Sequence, residues 1–347
     1  MKRALIVTPY LDHLGGGERY MLEAASVIES AGYELHFAWD NLEQISKLTN
    51  LLDIKLKNPQ LDTSIMPLYS QGSPLAMFKA TREYDLVLYL SDGSIPLLGA
   101  KANIIHMQVP FHNVGGGKFA TQLKLKRVNR IIVNSNFTKS VIDQEYRTNS
   151  LVIYPPVTPI KTRAKEKLIL SVGRFEPTVN IKKQDILIQA FAKLSPLLDG
   201  WRLALAGGSS DDTWLAKLQE SAGDLPIDFY PNLSYSDLSE LYGKASIFWH
   251  GAGYQVDQNK NPDLVEHFGI TTAEAITAGC VPLVIPKGGQ NEVVSDQGLH
   301  WYSLDNLVEL TTKVVASLLS YQNIASQMDV KRFSKKHFGK NLIELIS

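Results

Sequence analysis

Short apolar runs alternate with helical patterns along most of this chain, and that alternation narrows the fold more than any other feature. Ala4 to Thr8, Glu34 to Trp39, Asp85 to Leu90, Asn103 to Val109 and Arg130 to Asn134 each read as a buried strand. Between the first two, Met21, Ala25 and Ile28 recur on one helical face, and Gly32 closes that helix. Strands apolar on both faces need cover on both sides, which a parallel sheet with crossover helices supplies. A second series follows at Leu168 to Val172, Trp201 to Ala206, Ile227 to Tyr230 and Ala245 to Trp249, with helical stretches at Asp212 to Ser221 and Ser236 to Tyr242. The expected class is α/β, with two Rossmann-like doubly wound domains. A chain of 347 residues exceeds one ordinary core, and a hydrophobic fraction of 44% is ample for two. The boundary is expected at Tyr154-Pro155-Pro156-Val157-Thr158-Pro159 and the charged run Lys161 to Lys167, because prolines stiffen such a segment and charges keep it exposed.

Lysine and arginine number 35 against 35 aspartates and glutamates, so no global charge argues for nucleic acid, and any attraction to a membrane must be local. The single cysteine, Cys280, sits at an apolar strand start, reads as a core residue, and fits a reducing compartment. Met1-Lys2-Arg3 opens like a signal peptide, but the apolar run ends at Pro9, with Asp12 and His13 behind it. A first strand is expected there, with no secretion signal and no membrane span, and the expected location is cytoplasmic. The segment from Gly115 to Arg130 joins a glycine run to Lys118, Lys124, Lys126, Arg127 and Arg130, with Phe119, Leu123 and Leu125 available as an apolar edge. Such a helix suits peripheral contact with the inner face of an anionic membrane. A solvated helix behind a mobile glycine loop is the preferred reading, and the loop is also a candidate acceptor loop.

The chemistry concentrates in Asn261 to Glu292. Thr271-x-x-Glu274 reads as a capping box that starts a short helix at Thr271, and Gly279 with Val281-Pro282 stops it. Glu266, the amides of Phe268, Gly269 and Ile270, and Glu274 then converge on one helix N-terminus, a place that favours anionic oxygens. Carboxylates beside such amides suit a ligand with both phosphate and hydroxyl groups, as in a nucleotide sugar. The bland alternative makes Glu274 a capping residue and Glu266 a solvated loop charge.

The span EHFGITTAE with AGCVPLVIPKGG resembles the Glu-x7-Glu signature of retaining glycosyltransferases of the GT-B fold, family four or glycosyltransferase group 1. The resemblance implies two Rossmann-like domains facing across a cleft, with residues 1–157 on the acceptor side, 158–329 binding the donor, and a C-terminal crossover helix over about 330–347 returning to the first domain. It assigns Glu266 and the amides of Phe268 to Ile270 to the donor sugar and diphosphate, and Glu274 to the ribose hydroxyls. Gly15-Gly16-Gly17, within GGGER, resembles the family's turn beside the donor. It does not fit a dinucleotide fingerprint, whose third glycine falls on Tyr20, with Asp40 the only acidic candidate. His106, at the end of a buried strand, corresponds to the family's active-site histidine, although a lone histidine in an apolar run is more often core; His112 and His13 are weaker candidates. Arg174 with Lys182 resembles the pair that neutralises the diphosphate. Additional residues around Thr178 to Ile181 leave Lys183 a rival, and Lys182 is chosen by register with Asp185. Asn232 to Ser234 lies where the family holds the base, and His250-Gly251-Ala252-Gly253 departs from the commoner proline-containing stretch.

The implied activity is transfer of a sugar from a UDP- or GDP-linked donor to a glycan or lipid-linked acceptor hydroxyl, with retention and with the departing phosphate taking the acceptor proton. Arg174, Lys182 and the amides stabilise the leaving group, while His106 and Glu266 position the sugar. No Asp-x-Asp motif is present and a basic pair can do a metal's work, so no metal and no further cofactor is expected. A GT-B sugar-nucleotide epimerase and a binding-only protein remain as alternatives.

Overall fold

In a computed structural model, which describes residues 1–11, 15–68, 73–177, 182–209, 212–295 and 299–347, the chain divides into two compact units. Unit 1 holds Met1–Pro156 and Lys335–Ser347, and unit 2 holds Val157–Ser334. His13 and the stretch Thr178 to Ile181 lie outside the described residues.

Unit 1 runs β1 (Lys2–Val7), α1 (Gly16–Ser30), β2 (Tyr33–Phe37), α2 (Leu42–Leu51), β3 (Gln60–Leu61), α3 (Pro74–Thr81), β4 (Leu86–Leu90), β5 (Ala102–Met107), α4 (Phe119–Leu125), β6 (Arg130–Val133), α5 (Asn136–Tyr146) and β7 (Leu151–Val152). Its strands lie in the order β3-β2-β1-β4-β5-β6-β7, all parallel. The apolar runs are uninterrupted because each strand feeds two cores. Ala4 and Ile6 join Leu86, Leu88 and Leu90 on one face, and Leu5 and Val7 join Val87 and Tyr89 on the other.

Unit 2 continues with β8 (Leu168–Val172), α6 (Gln184–Leu194), β9 (Arg202–Gly207), α7 (Asp212–Ala222), β10 (Ile227–Pro231), α8 (Tyr235–Lys244), β11 (Ile247–His250), α9 (Ile270–Thr277), β12 (Val281–Val284), α10 (Gln290–Val293), α11 (Leu304–Ala316) and α12 (Leu318–Ser326). Its parallel sheet has the order β10-β9-β8-β11-β12. The order reverses between β8 and β11, so the crevice at their carboxyl ends is where a doubly wound sheet receives a ligand.

The last helix, α13 (Lys335–Ile346), belongs to unit 1, where Phe338 and Leu342 enter the core and Phe338 meets Tyr20 edge-on at 5.0 Å. It does not extend back to about residue 330 as the resemblance implies. Phe333 ends a single 3-10 turn, buried edge-on against Phe268 at 5.0 Å, and its carbonyl accepts the Val157 amide at 2.7 Å. Ser334 is extended beside Val157 before the helix begins. The charged run after the prolines is also not wholly exposed. Lys165 turns inward, its Nζ donating to the carbonyls of Ala245 and Ala278 next to buried Cys280.

Candidate functional site

Two chain ends meet at the switch point of unit 2. β8 runs into Gly173-Arg174, and β11 ends at His250. Gly173 has no room for a side chain, since a Cβ there would lie 2.5 Å from Lys182 Cγ. The Lys182 stem therefore crosses the glycine and delivers Nζ to within 2.7 Å of Glu266 Oε2. Its neighbour Lys183 is left-handed (φ 59°, ψ 37°) and serves as the backbone cap of α6. Of the two rival lysines, the structure brings Lys182 to the glutamate. Gln184, buried, ties this turn down by donating to the carbonyls of Gly173 (3.2 Å) and Arg174 (2.9 Å), while the Arg174 side chain is exposed.

Glu266 is placed by a backbone clasp. Its carbonyl accepts the Gly289 amide at 2.8 Å, and a Cβ on Gly288 (φ +68°) would lie 2.1 Å from that oxygen. The PKGG sequence thus lets two loops interleave. The Glu266 side chain is 15% exposed, and His250 Nε2 lies 3.1 Å from the same Oε2 that Lys182 reaches. Burial pushes the Glu266 carboxyl up, but Lys182 and His250 outweigh it, so the group lies well below the usual carboxylate range.

Three residues beyond Glu266, Gly269 (φ 103°, ψ 53°) opens α9 and its carbonyl accepts the Ala273 amide at 3.0 Å. The expected Thr271-x-x-Glu274 box is absent. The helix starts at Ile270, which puts Thr271 and Glu274 past the cap, because the glycine conformation closes the first turn without a side chain. Glu274 is buried instead beside Tyr242, whose hydroxyl donates to the Thr271 carbonyl at 3.2 Å. Burial first, and then the Glu274 charge, push the Tyr242 phenol well above its ordinary value. Thr272 Oγ1 donates to Gln290 Oε1 at 2.7 Å, fastening α9 to α10. Helix geometry leaves the first-turn amides without partners inside the helix, so Lys182, Glu266 and an amide-bearing end lie along one short stretch of unit 2. Asn232, left-handed at φ 55°, accepts the Ser209 amide at 2.9 Å and so shapes the turn expected to face a base.

In unit 1, Gly15 is the extended N-cap of α1, Gly16 starts the helix, and Gly17 packs so closely on Gln108 that a Cβ would lie 2.3 Å from its amide nitrogen. His106 departs from expectation. It lies inside β5 with no exposed surface, stacked on Tyr20 at 3.8 Å and 8°, with Nδ1 3.3 Å from the Ile132 carbonyl. Burial lowers its pKa to about 3, so it is held as a neutral ring within unit 1. The strand's apolar pattern, which argues for a core histidine, is what encloses it. His250, which the sequence places only in an atypical stretch after the strand, closes β11 at the switch point. Among the described residues, no group of three His, Cys, Asp or Glu side chains converges on a metal-sized site, and no helix is long and apolar enough to cross a membrane.

Two doubly wound parallel sheets, with a partly buried Lys–Glu pair and a glycine-led helix end at the switch point of the second, place the chain in the α/β class. The chain belongs to the family Glycosyl transferases group 1, which its residues 158–336 match, and the fold is GT-B. It is similar to the alpha-1,3/1,6-mannosyltransferase ALG2 of Candida glabrata, at 27% identity over 48% of this chain and 44% of that one. It is also similar to the GDP-Man:Man(3)GlcNAc(2)-PP-Dol alpha-1,2-mannosyltransferase of Mus musculus, at 30% identity over 46% and 34%. The chain thus spans less than half the length of either relative. Among solved structures, a glycosyltransferase from Rickettsia africae ESF-5 shares the fold, with a TM-score of 0.73 and 16% identity over 99% of this chain and 97% of that one.

Proposed function

We propose that this protein transfers a hexosyl group from a nucleoside diphosphate sugar to an acceptor hydroxyl with retention of anomeric configuration. The observation that carries the reading is the partly buried Lys182–Glu266 pair beside the first turn of α9. One cation and a set of amides meet a diphosphate, and one carboxylate meets sugar hydroxyls, within a single hydrogen-bonded cluster. Arg174, exposed at the end of β8, supplies a second cation for the leaving group, and buried Glu274 takes the ribose. Because one relative's name specifies GDP-Man, GDP-mannose is the first donor to test. The acceptor is a glycan, free or carried on a lipid diphosphate.

The test is release of nucleoside diphosphate from a panel of UDP- and GDP-sugars, with and without free and polyprenyl-diphosphate-linked oligosaccharides. Acceptor-dependent release supports the transferase. Interconversion of the donor without acceptor indicates an epimerase, and binding without turnover indicates a binding-only protein.

A second element of the proposal is peripheral contact with the cytoplasmic face of a membrane through residues 115–130. On α4, Phe119 is 84% and Leu123 54% exposed, one turn apart and flanked by Lys118, Lys124 and Lys126. Exposed apolar groups ringed by cations fit an anionic bilayer. Co-sedimentation with phosphatidylglycerol vesicles, but not phosphatidylcholine vesicles, is expected, and Phe119→Ser/Leu123→Ser should abolish it. Equal recovery with both vesicle types, or none with either, removes this element and leaves the transferase intact.

A further inference from the structure

Glu266 is held by two partners at one oxygen. Lys182 Nζ at 2.7 Å and His250 Nε2 at 3.1 Å both approach Oε2, and neither contact uses Oε1. His250 is 2% exposed, and its other nitrogen, Nδ1, accepts the Ala252 amide at 3.3 Å. In a neutral imidazole the accepting nitrogen carries no hydrogen, so the hydrogen is on Nε2, which lies 3.1 Å from Glu266 Oε2 but is not aligned on it as a full hydrogen bond. Two charged groups face the ring, Glu266 from the loop before α9 and Lys182 from the loop before α6. The Phe248 ring lies 6.3 Å away, and the Lys183 stem passes over Gly251. Burial lowers the His250 pKa, against the pull of Glu266 and with the repulsion of Lys182.

We propose that His250 is a positioning residue, which keeps Glu266 aimed at the donor sugar while Lys182 turns to the diphosphate. The inference rests on the transferase reading above. When a diphosphate arrives, two anions compete for one ammonium on a flexible stem. A carboxylate tethered to that ammonium alone would be pulled along with it or released. The imidazole cannot follow, because it is locked at the end of a buried strand and its tautomer is set by a backbone amide. It holds Oε2 and leaves Oε1 free to accept from a sugar hydroxyl. A second proton on His250 would fall on Nδ1, against the Ala252 amide, so the neutral ring is the working form.

The test compares dissociation constants for GDP and GDP-mannose, with UDP and UDP-glucose in parallel, and kcat and KM across pH, for wild type, His250→Ala and His250→Gln. The Gln side-chain amide puts an N–H near the place of Nε2. In His250→Ala the nucleoside diphosphate, which has no sugar for Glu266 to hold, should bind within about twofold of wild type, while the extra affinity of the nucleotide sugar and kcat each fall about tenfold or more. His250→Gln should recover most of both. The acid limb of the wild-type kcat/KM profile, below the ordinary histidine range, should disappear in His250→Gln. Equal losses for nucleoside diphosphate and nucleotide sugar in His250→Ala, or a Gln variant as impaired as Ala, would show a merely structural role and overturn the proposal. If wild type binds no UDP- or GDP-sugar of the panel, the transferase reading fails, and this inference fails with it.

Discussion

Lys182→Met is the sharpest perturbation of the cluster. It removes the ammonium 2.7 Å from a carboxylate whose side chain is only 15% exposed. Stranding one member of a fully buried pair costs about 3–5 kcal/mol, and the partial exposure of this pair together with His250 offsets part of this, so a loss of roughly 3 kcal/mol at most is expected near neutral pH. For a unit of this size that corresponds to a Tm lower by roughly 6–12 °C. The pH dependence follows from the sign of the shift. In the wild type, burial raises the Glu266 carboxyl but Lys182 and His250 hold it well below its ordinary value of 4.5. A depressed pKa contributes stability that is present above the unfolded value and lost as pH falls through the folded one. Without Lys182, burial dominates, the folded pKa rises, and the penalty exists only while Glu266 is ionised. The difference between wild type and variant should be large at about pH 7.5 and small at about pH 4.5. Calorimetric unfolding at both values measures it, together with Lys182→Met/Glu266→Gln, which should regain stability over Lys182→Met alone. A deficit as large in acid as at neutrality, or a double variant no better than the single, would refute the reasoning.

Three further outcomes are expected. Glu274→Gln should weaken nucleotide and nucleotide-sugar binding alike by about tenfold, because a charged acceptor for hydroxyls is lost; unchanged affinity by titration calorimetry would return Glu274 to a structural role beside Tyr242. His106, whose folded pKa is lowered to about 3, contributes stability that is full above the unfolded value near 6.5 and lost as pH falls below it. The slope is roughly 1.4 kcal/mol per pH unit, and urea melts of His106→Phe at two acidic pH values should show that slope gone. Gly288→Ala, which places a methyl 2.1 Å from the Glu266 carbonyl at positive φ, should cost about 2 kcal/mol or more and lower kcat by displacing Glu266; a Tm and kcat equal to wild type would show that the clasp does not hold that residue.

The sequence by itself determined the architecture. Apolar runs such as Leu168 to Val172, bounded by Lys167 and Gly173, are strands wherever a parallel sheet is covered on both faces, and that is a local property read residue by residue. The spacing of Glu266, Gly269 and Glu274 was legible for the same reason, since loop and first turn are contiguous. Only the tertiary structure decided which polar side chains meet. The start of α9 at Ile270 depends on Gly269 being held left-handed, next to a loop that comes from Gly288 and Gly289. That Lys182 rather than Lys183 meets Glu266 depends on a stem crossing Gly173, nine residues back along the chain. His106 and His250 both follow apolar residues of a strand. One became a stacked core ring because Tyr20 of α1 closes over it, and the other met Glu266 because β11 borders the point where the strand order reverses. Burial and convergence of that kind are set by the crossing of segments distant in sequence, which no local pattern encodes.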